Sequence, residues 1–237
     1  MGKKYGFTLA EVLITLAVIG VVAALAAPVL QDAFQRAKVG PSLRKFKNTM
    51  EVATEQLLGD RDVAAVSEVA TDSSIFYDAI KKYVQGSVRG TTSEANPAIK
   101  TYFGGKYTIA NVPTYILPTK DAFAIILHTD AEGITTIPQG SYKGYYADIY
   151  YDMNGFDTKP NRLGKDIFVF KMDNSGFLLS YGGKQDKAAY TVETKNEDDK
   201  NEDVCTSSGI TSGLSCTGTI EDNNWQVTYN KVKKAEE

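Results

Sequence analysis

The stretch FTLAEVLITLAVIGVVAALAAPVL, residues 7–30, decides the architecture of this 237-residue chain. As a helix rising 1.5 Å per residue it would be about 36 Å long, which exceeds the roughly 30 Å hydrocarbon core of a bilayer. Glu11 is its one charged residue, and a short basic run at 1–6 precedes it. We therefore predict a membrane-spanning helix over 7–30, followed at 31–237 by the continuation of that helix and a globular head.

An ordinary cleaved signal peptide is the alternative for this segment, because it also combines a basic start with an apolar core. The basic region here is very short, however, and the apolar run is longer than a usual signal core. Glu11 also lies where such a core is wholly apolar. These features favour a membrane helix that stays in the mature protein.

Glu11 has no cationic partner in the predicted span, since no Lys, Arg or His lies between Phe7 and Leu30. Inserting an acidic residue into the bilayer centre costs roughly 2.5–3.5 kcal/mol, so a partner is expected. Cleavage after Gly6 would create an α-amino group at Phe7, one helical turn from Glu11 and positive at neutral pH. The two groups are predicted to pair, within one chain or between neighbouring chains.

The run GFTLAEVLI, from Gly6 to Ile14, resembles the type IV prepilin family, which includes pilins and the pseudopilins of type II secretion. It has glycine before the cleavage point, phenylalanine after it and glutamate at the fifth mature position. Pro28 also lies where such proteins often carry proline. The resemblance implies that a membrane-embedded prepilin peptidase cuts after Gly6 and methylates the Phe7 amine. It further implies that Glu11 contacts the amine of an adjacent subunit during assembly.

The same resemblance implies a structural subunit of a type IV pilus-like filament or a type II secretion pseudopilus. Residues 1–6 would be the leader peptide, and 7–30 the transmembrane and filament-core helix. The implied partners are itself or other pilins in a helical filament, the peptidase and an inner-membrane assembly platform. The protein would cross the bacterial inner membrane once, with its N-terminus cytoplasmic and its head periplasmic or extracellular. Lysines and arginines are nearly even on the two sides, so orientation rests on the resemblance.

An enzyme or ligand-binding module tethered by its N-terminal helix is the rival interpretation. The chain has a single histidine, His128, and no G-x-S-x-G or H-E-x-x-H motif, so no catalytic site is predicted. The net charge of −3 gives no indication of nucleic-acid binding. A tethered enzyme would keep its activity when Glu11 is changed, whereas a filament subunit should fail to assemble.

The remainder of the chain predicts an α+β fold in which a helix packs on a mainly antiparallel sheet. Gly40-Pro41 is predicted to break or kink the helix. Beyond it, apolar residues recur three and four positions apart, which places one stripe against the sheet. The members of this stripe are Leu43, Phe46, Met50, Ala53 and Leu57. Further predicted elements are a helix at 73–84, loops at 86–97 and 196–203, and strands at 114–117, 122–129, 145–152, 166–172 and 177–181.

Between two of these strands lies a segment rich in oxygen-bearing side chains. Calcium takes six to eight oxygen ligands from carboxylates, amides and carbonyls. The candidate ligands are Asp152, Asn154, Asp157, Asn161 and Asp166. Their spacing is not that of an EF-hand, and turns stabilised by Asn and Asp side chains are the alternative explanation. Some pseudopilins carry calcium in a loop between C-terminal strands, so the resemblance agrees with calcium as the one candidate cofactor.

The only two cysteines, Cys205 and Cys216, enclose ten residues rich in Ser, Thr and Gly. No C-x-x-C motif or His/Cys cluster indicates zinc or redox chemistry. In an oxidising compartment a disulfide between them is the simplest prediction. Many pilins have a disulfide-bounded C-terminal region, so the resemblance agrees.

Overall fold

The fold is given by a computed structural model, which describes residues 6–69, 72–84, 88–90, 99–107, 109, 114–116, 121–127, 145–185, 205–206 and 212–229. The predicted leader before Gly6, His128 and the predicted loop at 196–203 lie outside the described residues. The chain divides into two compact units, Met1–Lys38 and Val39–Glu237.

Helix α1 runs from Leu9 to Arg61. Within the described part of the chain it is the one helix long and apolar enough to cross a membrane, judged by length and composition. Its large apolar side chains between Leu9 and Leu25 are exposed. The predicted break at Gly40-Pro41 is wrong, since α1 continues through it. A proline in a helix removes one backbone donor, so α1 passes Pro41 with one backbone hydrogen bond fewer.

Position 40 of α1 has no room for a side chain, which explains why a glycine lies there. A Cβ atom at this position would lie 1.7 Å from the carbonyl oxygen of Trp225, so the C-terminal segment crosses α1 at van der Waals distance from its backbone. A backbone carbonyl cannot rotate away as a flexible side chain can. The glycine therefore serves close approach between two distant parts of the chain, not termination of the helix.

The described part of the head contains an antiparallel sheet of six strands. They are β1 (Val88–Gly90), β4 (Thr114–Ile116), β5 (Ala122–Leu127), β6 (Tyr145–Asp152), β7 (Ile167–Asp173) and β8 (Leu178–Ser180). The strands lie side by side in the order β1-β4-β5-β6-β7-β8. Two short strands, β2 (Ile99–Lys100) and β3 (Lys106–Tyr107), form a separate hairpin. The predicted α+β fold and its five strands are confirmed, whereas the predicted loop at 86–97 contains the edge strand β1.

The first core of the head lies between the predicted stripe of α1 and one face of the sheet. All five stripe residues are buried. Phe46 stands at the centre, with ring centroids 4.2 Å from Tyr151, 5.6 Å from Phe123 and 5.7 Å from Phe170. Helix α2 (Ser73–Ile80) joins this core, and the Asp72 side chain caps it by accepting from the backbone N–H groups of Ser74 and Ile75.

A second core covers the opposite face of the sheet. It contains Ala124, Tyr150, Val169 and Leu214, among other buried residues. Every residue of β5 is buried, which agrees with its uninterrupted apolar sequence AFAIIL. The central strands are therefore enclosed on both sides. A short helix α3 (Cys216–Asp222) contributes to the head near β7 and β8.

Candidate functional site

The N-terminal site begins with Gly6 and Phe7, which precede the first residue of α1. Phe7 is 89% exposed. Glu11 lies in the first turn of α1. Glu11 therefore lies four residues after Phe7, in the first turn of an apolar helix that begins at Leu9.

The Glu11 carboxylate already has a partner in the same turn. Its Oε2 atom accepts from the backbone N–H of Thr8 and from the Thr8 hydroxyl, both at 2.8 Å. Thr8 Oγ1 accepts in return from the Glu11 backbone N–H at 3.3 Å. This reciprocal arrangement is a capping box, in which a Ser or Thr before the helix and a Glu three residues later satisfy each other's backbone donors.

Sequence reasoning missed Thr8, although the pattern T-x-x-E before an apolar run is enough to predict this motif. This capping interaction bears on how the charge of Glu11 is balanced. Within the part of the chain that the structure describes, the Glu11 carboxylate accepts from two donors, both in Thr8, and neither of them carries charge. The need for a cation to balance Glu11 inside an apolar environment therefore remains.

The second site is the segment that joins β6 to β7, here named the 152–166 loop. Asp152, Asn161 and Asp166 are buried, and Asn154 is half-buried. Asp157 is exposed on the same loop. The loop folds back on itself, because the Asp166 carboxylate accepts from the backbone N–H of Asn161 at 2.8 Å and that of Arg162 at 2.6 Å.

Turn chemistry explains only some of the oxygen atoms in this loop. Asp152 Oδ1 accepts from the backbone N–H of Asn154 at 3.0 Å, as an Asx turn requires. Three other buried oxygens have no hydrogen-bond partner among the described residues, namely Asp152 Oδ2, Asn154 Oδ1 and Asn161 Oδ1. Buried polar atoms are nearly always satisfied in proteins, so three orphaned acceptors in one loop call for a donor or a cation.

The ionised forms of the two buried carboxyl groups in this loop, Asp152 and Asp166, are disfavoured by their surroundings. Burial raises the pKa of Asp152 to about 8, and the carboxylate of Asp166 adds to this rise. Burial raises the pKa of Asp166 as well, although its bonds from backbone N–H groups oppose the change. A bound cation would favour the ionised form of both groups.

The described residues contain no group of three or more His, Cys, Asp and Glu side chains arranged to hold a metal. A cation in the 152–166 loop would therefore depend on amide and backbone carbonyl oxygens as well as on Asp152 and Asp166. That mixture suits a hard cation such as calcium.

The loop is braced from outside by the C-terminal region. Cys205 and Cys216 form the predicted disulfide, with Cα atoms 4.3 Å apart. A Cβ atom at Gly164, where φ is +74°, would lie 2.3 Å from Cys216 Sγ, so the loop and the disulfide are in close contact. The Tyr229 hydroxyl donates to the Gly164 carbonyl at 2.6 Å. Sequence reasoning did not foresee this contact, because it joins segments far apart in the chain.

Comparison with known proteins identifies the N-terminal site. Residues 1–27 match the family described as the prokaryotic N-terminal methylation motif. No curated protein and no solved structure matches the chain. The chain thus carries the prepilin-type processing motif, in agreement with the arrangement of Gly6, Phe7 and Glu11.

Proposed function

We propose that this protein is a prepilin that matures into a structural subunit of a filament of the type IV pilus or type II secretion pseudopilus kind. The methylation motif over 1–27 carries the proposal, because that motif implies peptidase processing and pilin-type assembly in general. The exposed apolar surface at the start of α1 supports it, since this surface needs lipid or neighbouring helices to cover it. The protein is not proposed to be an enzyme.

In this proposal prepilin peptidase removes residues 1–6 and methylates Phe7. The helix over 7–30 first crosses the inner membrane and then packs with the same helices of other subunits in the filament. Glu11 supplies the negative charge that the Phe7 amine of a neighbouring subunit requires. An assembly platform in the inner membrane extracts the subunit, and the head remains on the extracytoplasmic side.

Intact-mass analysis of the protein from its native host tests the processing step. We expect a chain that begins at Phe7 and is about 14 Da heavier than the unmodified polypeptide, the mass of one added methylene. Replacing Gly6 should leave the leader attached, because the peptidase would lose its recognition residue. A mature chain that retains Met1, or one that is cut near Ala26, would contradict the proposal.

We further propose that the 152–166 loop binds calcium through Asp152, Asn154, Asn161 and Asp166. The three orphaned buried oxygens support this proposal. Because the free carboxyl of Asp152 prefers its neutral form, the metal-free head should lose stability as the pH rises from about 3.8 towards 8. Calcium would reverse this loss at neutral pH by stabilising the ionised carboxylates.

Melting of the full chain in detergent tests calcium binding. A hundredfold excess of calcium over its Kd should stabilise the fold by about 2.7 kcal/mol, and chelator should remove that gain. Asp152→Asn should abolish the response, whereas Asp157→Asn provides a matched control on the exposed part of the loop. Magnesium should act weakly, because it requires a tighter octahedron. An unchanged melting curve with calcium or chelator would show that these Asn and Asp side chains stabilise turns and do not bind calcium.

A further inference from the structure

Charged side chains of opposite sign gather at the two ends of strand β7, both within the Val39–Glu237 unit. The basic surface is formed by the β2–β3 hairpin and the part of the 152–166 loop beside it. In the described ranges 99–107 and 157–165, Asp157 is the only acidic side chain. The basic side chains of these ranges are Lys100, Lys106, Lys159, Arg162 and Lys165.

Three of these basic residues form a row across adjacent backbone segments. Lys100 lies directly opposite Lys106 in the hairpin and forms an isolated parallel bridge with Arg162. Paired residues project to the same side and adjacent strands lie about 4.8 Å apart, so the row is about 10 Å long. Lys100 and Lys106 are exposed, and neither has an acidic partner among the described residues. Like charges directly opposite each other are destabilising, so the row calls for negative charges from outside.

Arg162 is held at the end of this row. Its Nη2 atom lies 3.5 Å from the position that a Cβ atom of Gly104 would take, so the guanidinium rests against the tip of the hairpin. Its Nε atom is buried and has no hydrogen-bond partner in the described part of the chain. A side chain fixed in this way loses little further entropy when it pairs with a carboxylate.

The acidic surface lies at the other end of β7, where the end of α1 and the segment after it meet the β7–β8 turn. The Val66 backbone N–H donates to the Asn174 carbonyl at 2.8 Å, and the Ser67 N–H donates to the Asn174 side chain at 2.9 Å. Arg61 is the only basic side chain in the described ranges 51–69 and 72. The acidic side chains of these ranges are Glu51, Glu55, Asp60, Asp62, Glu68 and Asp72.

Glu55 and Asp62 match the basic row in spacing. They lie seven residues apart at the end of α1, so they project to nearly the same side and are about 10 Å apart along the helix axis. Both are exposed and have no partner within the described ranges. Arg61 projects about 100° away from Asp62 around the helix. Asp60 is matched by Lys82 at 2.9 Å, so the open negative charge is that of Glu55 and Asp62.

The two surfaces lie at opposite ends and on opposite faces of the sheet. Ile167, the first residue of β7, forms a bridge with Leu163 next to the basic row, whereas Asp173 ends the strand beside the acidic surface. The seven residues of β7 separate these ends by about 20 Å. Leu163 belongs to the second core and Val66 to the first core, on the side of α1. Two neighbours that bind these surfaces therefore approach one subunit from opposite directions and do not occupy the same space.

We propose that the basic row of one head docks on the acidic surface of a second copy of the chain, with Lys100, Lys106 and Arg162 facing Glu55 and Asp62. Isolated exposed ion pairs contribute little, so the contact depends on several charges acting together. Because the contact joins two different surfaces, it repeats from copy to copy without closing, which builds a helical filament. This inference rests on the proposed filament function.

Zero-length cross-linking of sheared wild-type filaments tests the contact without any substitution. A carbodiimide joins a lysine amine to a carboxylate only where the two groups touch. Mass spectrometry should find Lys100 or Lys106 joined to Glu55 or Asp62, and mixed isotope labelling should show that the two peptides come from different chains. Links from these lysines only to other carboxylates would overturn the proposal.

Charge reversal provides a second test. K100E/K106E and E55K/D62K should each lower the yield of sheared filaments at least tenfold, and combining all four substitutions should restore most of it. K45E/K184E reverses two exposed lysines outside both surfaces and should assemble normally. Restoration also shows that the separate variants can fold. A combined variant that stays defective would overturn the proposal and indicate a different partner for the basic row.

The outcomes separate this inference from the filament proposal. If filaments depend on Glu11 but neither charge reversal changes their yield, the head contact is wrong and the filament function stands. If the wild-type chain forms no filaments in its host, the filament function itself fails.

Discussion

Replacing Glu11 by glutamine is expected to abolish filament assembly while leaving membrane insertion and cleavage intact. Glutamine keeps the length of the side chain and can still accept from Thr8, but it removes the negative charge. The positive Phe7 amine would then lie in an apolar filament core without a counter-charge. At roughly 2.5–3.5 kcal/mol for such a charge, the loss corresponds to about a hundredfold or more.

Thr8→Val is the matched control for this experiment. It removes the hydroxyl that binds Glu11 Oε2 but keeps both the backbone N–H of residue 8 and the charge of Glu11. If pairing with the amine is the role of Glu11, filaments should fall sharply in Glu11→Gln and only modestly in Thr8→Val. Equal and small effects in the two variants would show that Glu11 acts only as part of the helix cap. That result would favour the tethered-module interpretation.

Phe46→Ala should strongly lower the free energy of unfolding of the head. Phe46 is 3% exposed and contacts three aromatic rings of the sheet. Truncating a buried phenylalanine typically costs about 3–5 kcal/mol, because apolar contacts are lost and a cavity remains. Total stabilities of about 5–15 kcal/mol mean that this loss could leave the head barely folded.

Denaturant unfolding of the full chain in detergent, followed by fluorescence, measures this effect. Trp225 is the only tryptophan and packs against the same core, so its emission reports on the contact. Phe177→Ala removes the same atoms from a 44% exposed site and should cost about 1 kcal/mol or less. Similar losses for the two variants would contradict the packing of α1 on the sheet through Phe46.

The C-terminal segment is fixed to the head by its contacts with the 152–166 loop and with α1, close to the disulfide. The backbone of Trp225 crosses α1 at Gly40, and Tyr229 binds the loop at Gly164. Anything that orders the loop therefore also orders the segment that contacts α1. Calcium binding is expected to affect filament assembly by this route, through the stability of a subunit surface.

The sequence by itself determined the features that depend on residues close together in the chain. The prepilin-type motif is a local pattern, so the nine-residue run GFTLAEVLI was sufficient to suggest it, and residues 1–27 match the N-terminal methylation motif. The stripe on α1 follows from a spacing of three and four residues, which assigns a buried face without knowledge of the partner. The strands were predictable because alternating or continuous apolar runs end at turn-forming residues.

Only the tertiary structure decided the features made by segments that are distant in the sequence. The close approach of the Trp225 backbone explains why residue 40 of the helix is glycine, and no local pattern contains that contact. A groove between α1 and the turn that joins β7 to β8 is formed by segments more than a hundred residues apart. The orphaned oxygens of the 152–166 loop arise only once the turns of that loop have formed. Local propensity fixes which segments become helices or strands, whereas burial and charge pairing depend on what each segment meets after folding.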